Sequence, residues 1–297
     1  MKAQLRSQRL AVDVPATRWG HRRRLEFIDF RLLWDGRINR KELVAFFGTS
    51  IQQASLDLAR YIKIAPKNLR YDSSEKVYRA TVHFKPAFLP ADSDVFLSQL
   101  LALAEGTLPA SASFIGWQPP YDVVQFPSRA IHPDVLTRVV QGIRNGEDVE
   151  VSYQSMRQPS LSLRWIAPHA IAFDGTRWHA RAWCHEHGDF RDFVLARIQQ
   201  VHASRPSAID RNSDVRWHSY TTVILRPRRN LTRQQRAAVE AEFGMKHGQL
   251  RVEVREALVF YFVRQLQLKT ASAIRIHPIE WVNEDDLRPL LVEAARR

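Results

Sequence analysis

The period of apolar and polar residues changes several times along the 297-residue chain, and each change marks a module. From Arg24 to Trp34, Leu25, Ile28 and Leu32, joined by Phe27 and Phe30, recur at helical spacing. Asp35-Gly36 ends that run, because glycine readily takes the left-handed conformation of a helix C-cap. A second helix is predicted over 40–47, with Leu43, Phe46 and Phe47 facing inward. Gly48-Thr49 turns the chain, and Ser50 offers an N-cap hydroxyl to a third helix over 51–62. On it Ile51, Ala54, Leu58 and Ile62 form one stripe, while Gln52, Gln53, Asp57 and Arg60 face outward or lie along its margins. Two β-like runs follow, 68–71 and 76–82, joined by Asp72-Ser73-Ser74-Glu75. The first 20 residues show no sustained period and read as an arm or one short helix.

Residues 86–127 read as a connection. A helix over 92–105, capped by Asp92 or Ser93, carries Phe96, Leu97, Leu100, Leu101 and Leu103; an irregular stretch rich in Pro and Gly follows, anchored by buried aromatics such as Phe114 and Trp117. Pro133 opens a helix that runs to about Arg144 and is ended by Asn145-Gly146. The period then falls to two. Val149, Val151 and Tyr153 alternate with polar residues, and further strand-like runs occupy 161–166, 169–173, 178–184 and 190–198. Asp174-Gly175 and Gly188-Asp189 mark hairpin turns, so this part is expected to be a strongly bent sheet or a small SH3/Sm-like barrel.

The last third predicts a β-α-β-α-β unit with a C-terminal helix. Its strands lie at 220–225, 249–254 and 273–279, and its helices run from Leu231 or Thr232 to Phe243, over 257–268, and from about Glu284. Leu258–Val263 is apolar on nearly all sides, so it is expected to be covered by its own domain or by a second subunit. The fold class is α+β and multidomain, with expected bounds of 1–89 for the first module, 90–130 for a helical linker, 131–206 for the central sheet and 215–297 for the last domain.

Charge changes the picture. The chain carries 44 Lys and Arg against 31 Asp and Glu, a net +13. Residues 1–85 hold 18 of the bases and 8 of the acids, an excess of ten, whereas 144–205 hold eight arginines, no lysine and seven acids. The excess implies a polyanionic partner for the front module. No apolar run approaches the ~20 residues of a membrane span, and the N-terminus has no apolar signal segment. The single cysteine, Cys184, fits a reducing compartment, so a cytoplasmic protein with no membrane partner is expected.

Three helices with a tight turn between the second and third, followed by a basic hairpin, describe a winged helix-turn-helix, whose third helix enters the major groove of double-stranded DNA. Gln52 and Gln53 suit adenine edges, and Thr49, Ser50 and Arg60 suit phosphates. Lys76 and Arg79 lie where a wing meets the backbone. Asp57 speaks against phosphate at its own position and is expected to cap the helix or hold Arg60. In the central sheet, alternation puts Arg191, Phe193, Leu195 and Arg197 on one face, and His179, Arg181 and Trp183 on one face of the preceding strand. With Tyr153, Ser155 and His169 they form a candidate concave patch for a phosphorylated or nucleotide-like ligand. The competing reading is that these arginines pair with Asp174, Glu186, Asp189 and Asp192.

Val151-Ser152-Tyr153, Arg164-Trp165-Ile166-Ala167-Pro168-His169, Trp178-His179-Ala180 and the run Arg191-Asp192-Phe193-Val194-Leu195-Ala196-Arg197-Ile198 resemble the bacterial WYL-domain transcriptional regulators. The last run is the most specific, and the order of modules agrees over about residues 20–297. The chain looks closest to the BrxR/CapW-like repressors encoded beside anti-phage defence systems. The resemblance implies a homodimeric repressor held together by the C-terminal domain. It would bind an inverted-repeat operator of its own or a defence operon, with a basic central site for a nucleotide or oligonucleotide effector and no cofactor. Carried over by position, His169, Arg181 and Arg191 are the foremost ligand candidates, surrounded by Tyr153, Ser155 and His179. The eponymous Trp-Tyr-Leu is Trp178-His179-Ala180 here, which changes the ligand's surroundings rather than the fold.

Two other chemistries compete with these. The run from Cys184 to Asp189 groups thiol, imidazole and carboxylate, but sits at an expected hairpin tip with no second ligand cluster, so no metal is assigned to it. The alternative is a nucleic-acid-processing enzyme such as a nuclease, or an accessory nucleic-acid-binding component of a defence system; the enzyme would need a catalytic constellation, and neither paired carboxylates nor a phosphate-binding loop stands out. Asp285-Asp286 read as the first turn of a helix, where acids complement the dipole. The chain is therefore expected to be a non-enzyme.

Overall fold

The computed structural model of the chain describes residues 16–268 and 278–296, apart from 126 and 128. Most of the expected arm and most of the strand-like piece over 273–279 lie outside those residues. The described chain falls into two compact units, divided at about Pro127.

The first unit contains α1 (Ala16–Trp34), β1 (Arg37–Ile38), α2 (Arg40–Phe47), α3 (Ile51–Ile64), β2 (Leu69–Asp72), β3 (Val77–Ala80) and α4 (Ser93–Ala104). The α2–α3 corner is built by local chemistry. Asn39 and Glu42 form a capping box at the start of α2, Gly48 ends it at φ 62°, and Ser50 Oγ accepts from the Gln53 amide to cap α3. The three strands run β1-β3-β2, with Tyr71 opposite Tyr78 in the hairpin. Phe27, Phe30, Phe46 and Phe114 cluster edge-on or stacked beneath the helices. The helix expected as a linker, α4, joins this core, its Phe96 lying 4.9 Å from Trp34 and 6.1 Å from Phe30 between ring centres. Trp117 departs from expectation and is 66% exposed. Gly116 before it rests on Arg31 and Asp35, where no Cβ fits, so the chain lies backbone-first there and the indole faces away.

The second unit opens with α5 (Pro133–Asn145), which packs Val135 and Val139 onto a five-stranded antiparallel sheet. Its strands are β4 (Glu147–Tyr153), β5 (Ser162–Phe173), β6 (Trp178–Cys184), β7 (Asp189–Val194) and β8 (Ile198–Pro206), in the order β7-β6-β5-β4-β8. The outer strands β7 and β8 meet through the 3-10 turn Leu195–Arg197 and do not pair, so the element is a bent open sheet and not a closed barrel. A short helix, α6 (Val215–His218), leads to β9 (Tyr220–Pro227), α7 (Arg233–Glu242), β10 (Leu250–Arg255), α8 (Val259–Gln265), β11 (Ile279–Trp281) and α9 (Glu284–Arg296). This is the expected α+β succession, with an antiparallel sheet ordered β10-β9-β11. Only part of the apolar run in α8 faces its own core alone: Val259 and Val263 pack with Leu291 of α9, Phe260 touches the same cluster and also lines the cavity beside the central sheet, and Tyr261 turns to that sheet. Among the described residues no helix is long and apolar enough to cross a membrane.

Candidate functional site

The outward face of α3 differs from the predicted one by part of a turn. Ala54, Asp57, Leu58 and Tyr61 are buried, whereas Ile51 is exposed. The rotation follows from polar chemistry that an apolar stripe does not report. Asp57, 1% exposed, accepts from Arg24 Nε at 2.6 Å and from Gln53 Nε2 at 3.1 Å, with His21 at 3.5 Å. It therefore holds Arg24 and not Arg60, which instead meets His21 Nε2 at 2.6 Å. Because a carboxylate only accepts, the amide nitrogen of Gln53 must face Asp57. Gln52, Leu56, Arg60 and Lys63 remain on the solvent side; Leu56, 63% exposed, is absent from the sequence expectation and gives this face an apolar contact of the kind a thymine methyl accepts. Ser50 is committed to its cap, and Thr49 lies half-buried beside it. In the hairpin, Lys76 is exposed, while Arg79 is engaged by Asp72 at 3.0 Å and Glu75 at 2.5 Å. Hydrogen bonds from Ser74 and Arg79 hold the Asp72 carboxyl well below the usual range.

A cavity of about 580 Å³ opens between the central sheet and α8. Eight arginines line it, against the single carboxylate of Asp192. Of the predicted ligand residues, Tyr153, Ser155, His179, Arg181 and Arg191 share this wall, whereas His169 does not. A register shift in the β5–β6 ladder between Pro168 and Ala170 turns the His169 imidazole away, to Asp214 at 2.9 Å. The residues missed from sequence include Arg157, Arg164, Arg177, Arg216 and, from α8, Phe260, Tyr261 and Arg264, which the fold alone brings to the cavity.

Four carboxylates organise this wall from behind and from within. Asp214, the N-cap of α6, takes both Nε and Nη2 of Arg181 at 2.7 and 2.9 Å, and Arg181 Nη1 reaches Asp192 at 3.2 Å. Arg181 thus has a carboxylate on each of its three nitrogens and is 2% exposed, a keystone of the wall rather than an open hand. Arg191 lies half-buried on Asp189 at 2.6 Å, so the pairing expected for these arginines is present in part. Asp174 accepts from Arg177 and His179, each at 3.0 Å, and from Arg264 at 2.8 Å. Burial pushes the Asp174 and Asp214 carboxyls up, but their hydrogen bonds prevail and hold both well below the usual range. Burial lowers the His179 imidazole despite Asp174, so it is neutral at pH 7, donating from Nε2 and leaving a buried Nδ1 without a partner.

Beside the cavity, Cys184, Glu186 and His187 each bring a ligand-type atom within 4.8 Å of the others. The tight turn causes this, with His187 N and Gly188 N both donating to Cys184 O. Arg164 stands 3.3 Å from the Glu186 carboxylate, placing a positive charge against the cluster.

Together these parts define a winged helix-turn-helix protein with a cation-lined central pocket and a C-terminal α+β domain. Residues 20–102 match the BrxR transcriptional regulator winged helix-turn-helix domain, 134–203 the WYL domain, and 220–287 the C-terminal dimerization domain of the BrxR transcriptional regulator. The chain is 41% identical over 277 residues to the DNA-binding transcriptional repressor CapW of Escherichia coli, covering 92% of this chain and 93% of that one. It is 40% identical over the same shares to the CapW repressor of Pseudomonas aeruginosa. The chain belongs to the CapW family. Among solved structures, proteasome accessory factor B/C of Arthrobacter aurescens overlays 92% of this chain and 46% of that one, at 14% identity and a TM-score of 0.28.

Proposed function

We propose that this chain is a cytoplasmic, homodimeric DNA-binding repressor of its own or a phage-defence operon, released or tightened by a nucleotide or oligonucleotide effector in the central cavity. The observation that carries the reading is the capped helix α3, seated on a buried stripe with Gln52, Leu56, Arg60 and Lys63 turned to solvent, in a segment that matches a regulator's DNA-binding domain. Two such helices, related by the two-fold axis of a dimer formed through the C-terminal domain, fit an inverted repeat. The cavity's arginines and aromatic rings suit phosphate and base. The protein binds rather than cuts, so labelled single- and double-stranded DNA incubated with it and Mg²⁺ should remain intact. The direct test is a gel shift with a duplex from the gene's own promoter across a salt series. Affinity should fall steeply with salt, because the front module releases counterions from phosphate. A salt-independent shift, or none, would refute the reading.

A further inference from the structure

The cavity belongs to two domains at once. Its far wall is α8 of the C-terminal domain, which contributes Phe260, Tyr261 and Arg264. Two polar contacts fasten that helix to the central sheet: the Tyr261 hydroxyl donates to Asp192 at 2.9 Å, and Arg264 Nη2 donates to Asp174 at 2.8 Å. Gly175 (φ 91°) completes the seat, since a Cβ there would stand 2.7 Å from Gln265 of the same helix.

These contacts differ in how easily they can be exchanged. Asp174 accepts six hydrogen bonds, from Thr176 N and Oγ1, Arg177 N and Nε, His179 and Arg264. Losing Arg264 leaves it well satisfied. Arg264 itself is 45% exposed, with its guanidinium 5.4 Å from the Tyr261 ring centre and 5.6 Å from that of Phe260. Arg181, by contrast, is buried and bound on every side. An incoming phosphate can therefore take Arg264 at little cost to its old partner. Beside this helix, the ring of His179 stands 5.0 Å from that of Tyr261, with its buried Nδ1 lacking a donor.

We propose that the effector site is composite: α8 supplies an aromatic and cationic wall for a ligand carrying both base and phosphate, and the ligand draws Arg264 from Asp174. This rests on the reading of the cavity as an effector site and adds that its occupancy is felt directly by the C-terminal domain. The same helix that closes the cavity carries Val259 and Val263, which pack on Leu291, so a shift of α8 is a shift of that domain's core. A ligand that prefers one position of α8 biases the whole domain by its difference in affinity for the two positions.

The experiment uses the full chain, a fluorescein-labelled 5′-phosphorylated tetrathymidylate as probe, and the promoter duplex, both read by anisotropy. Arg264→Gln should weaken probe binding roughly tenfold, the value of one charge-assisted contact, and, because it loosens the same contact to Asp174, should shift duplex binding without probe in the direction in which the probe shifts it in the wild type. Tyr261→Phe keeps the ring but frees α8 from Asp192, so the probe should alter duplex binding at lower concentration than in the wild type. Arg191→Gln, on the sheet side only, serves as the reference. If Arg191→Gln loses the probe while Arg264→Gln and Tyr261→Phe behave as wild type, the composite site is refuted and the effector reading stands. The composite site is refuted equally if no variant changes binding. A wild type that does not bind the probe refutes both.

Discussion

The first unit and the central cavity handle charge in opposite ways. In the first unit Asp29, Asp35 and Asp57 turn inward, each against a structural partner, while Arg37, Lys41, Arg60, Lys63, Lys67 and Arg70 stay exposed. Its net charge is thus displayed over a broad surface. The central region has nearly as many acids as arginines, yet it sorts them by direction: eight arginines face the cavity beside the one carboxylate of Asp192, while Asp174 and Asp214 are turned away from it. Net charge predicts the first surface and hides the second. What a partner meets is the charge left facing it after buried pairs are closed.

That contrast can be broken most severely at Arg181. Arg181→Ala strands two carboxylates in the wall and should destabilise the second unit by ~3–5 kcal/mol, read as a fall in urea midpoint. A variant as stable as wild type would show that the wall does not depend on its keystone. On the first unit the expected losses fall on binding and not on folding. Gln52→Ala, on the exposed side of α3, should cost ~1–3 kcal/mol in operator affinity and spare binding to unrelated duplex, which competition titration would separate. A uniform loss on both would mean Gln52 touches only the backbone. The smallest effect concerns protons. The lowered His179 pKa means the unfolded chain takes up a proton first as pH falls below the ordinary imidazole value of 6.5, so stability rises with pH there and is lost on acidification. The loss should be under about 1 kcal/mol at pH 6 and absent in His179→Gln. Asp174 and Asp214, held below the ordinary carboxylate value of 3.8, add a loss in the same direction only at lower pH.

The elements are legible in the sequence because period and capping are local. Ser50, Gly48 and Gly146 mark their helix ends as the residue types require. Pairings across the chain are not. Nothing in the run around Asp57 announces Arg24, 33 residues earlier, and so the apolar stripe places the buried face of α3 off by part of a turn. Asp214 goes unannounced because it caps a four-residue helix beyond the sheet whose arginine it holds. Alternation brings Arg181 and His179 to the right wall, but cannot foresee the register shift that removes His169. Nor can it foresee α8: its apolar run signals burial without naming the surface that buries it.

Asp29 carries one more consequence. The Tyr61 hydroxyl of α3 donates to it, and its other oxygen accepts from the backbone amides of Phe88 and Leu89 at 2.8 and 3.0 Å. One carboxylate of α1 thereby clasps α3 and the segment leaving the hairpin. Those two amides lie outside any helix or strand, where fast exchange with deuterium would be usual. Held in this clasp, they should exchange only when the whole unit opens, as slowly as the amides at the centre of α1.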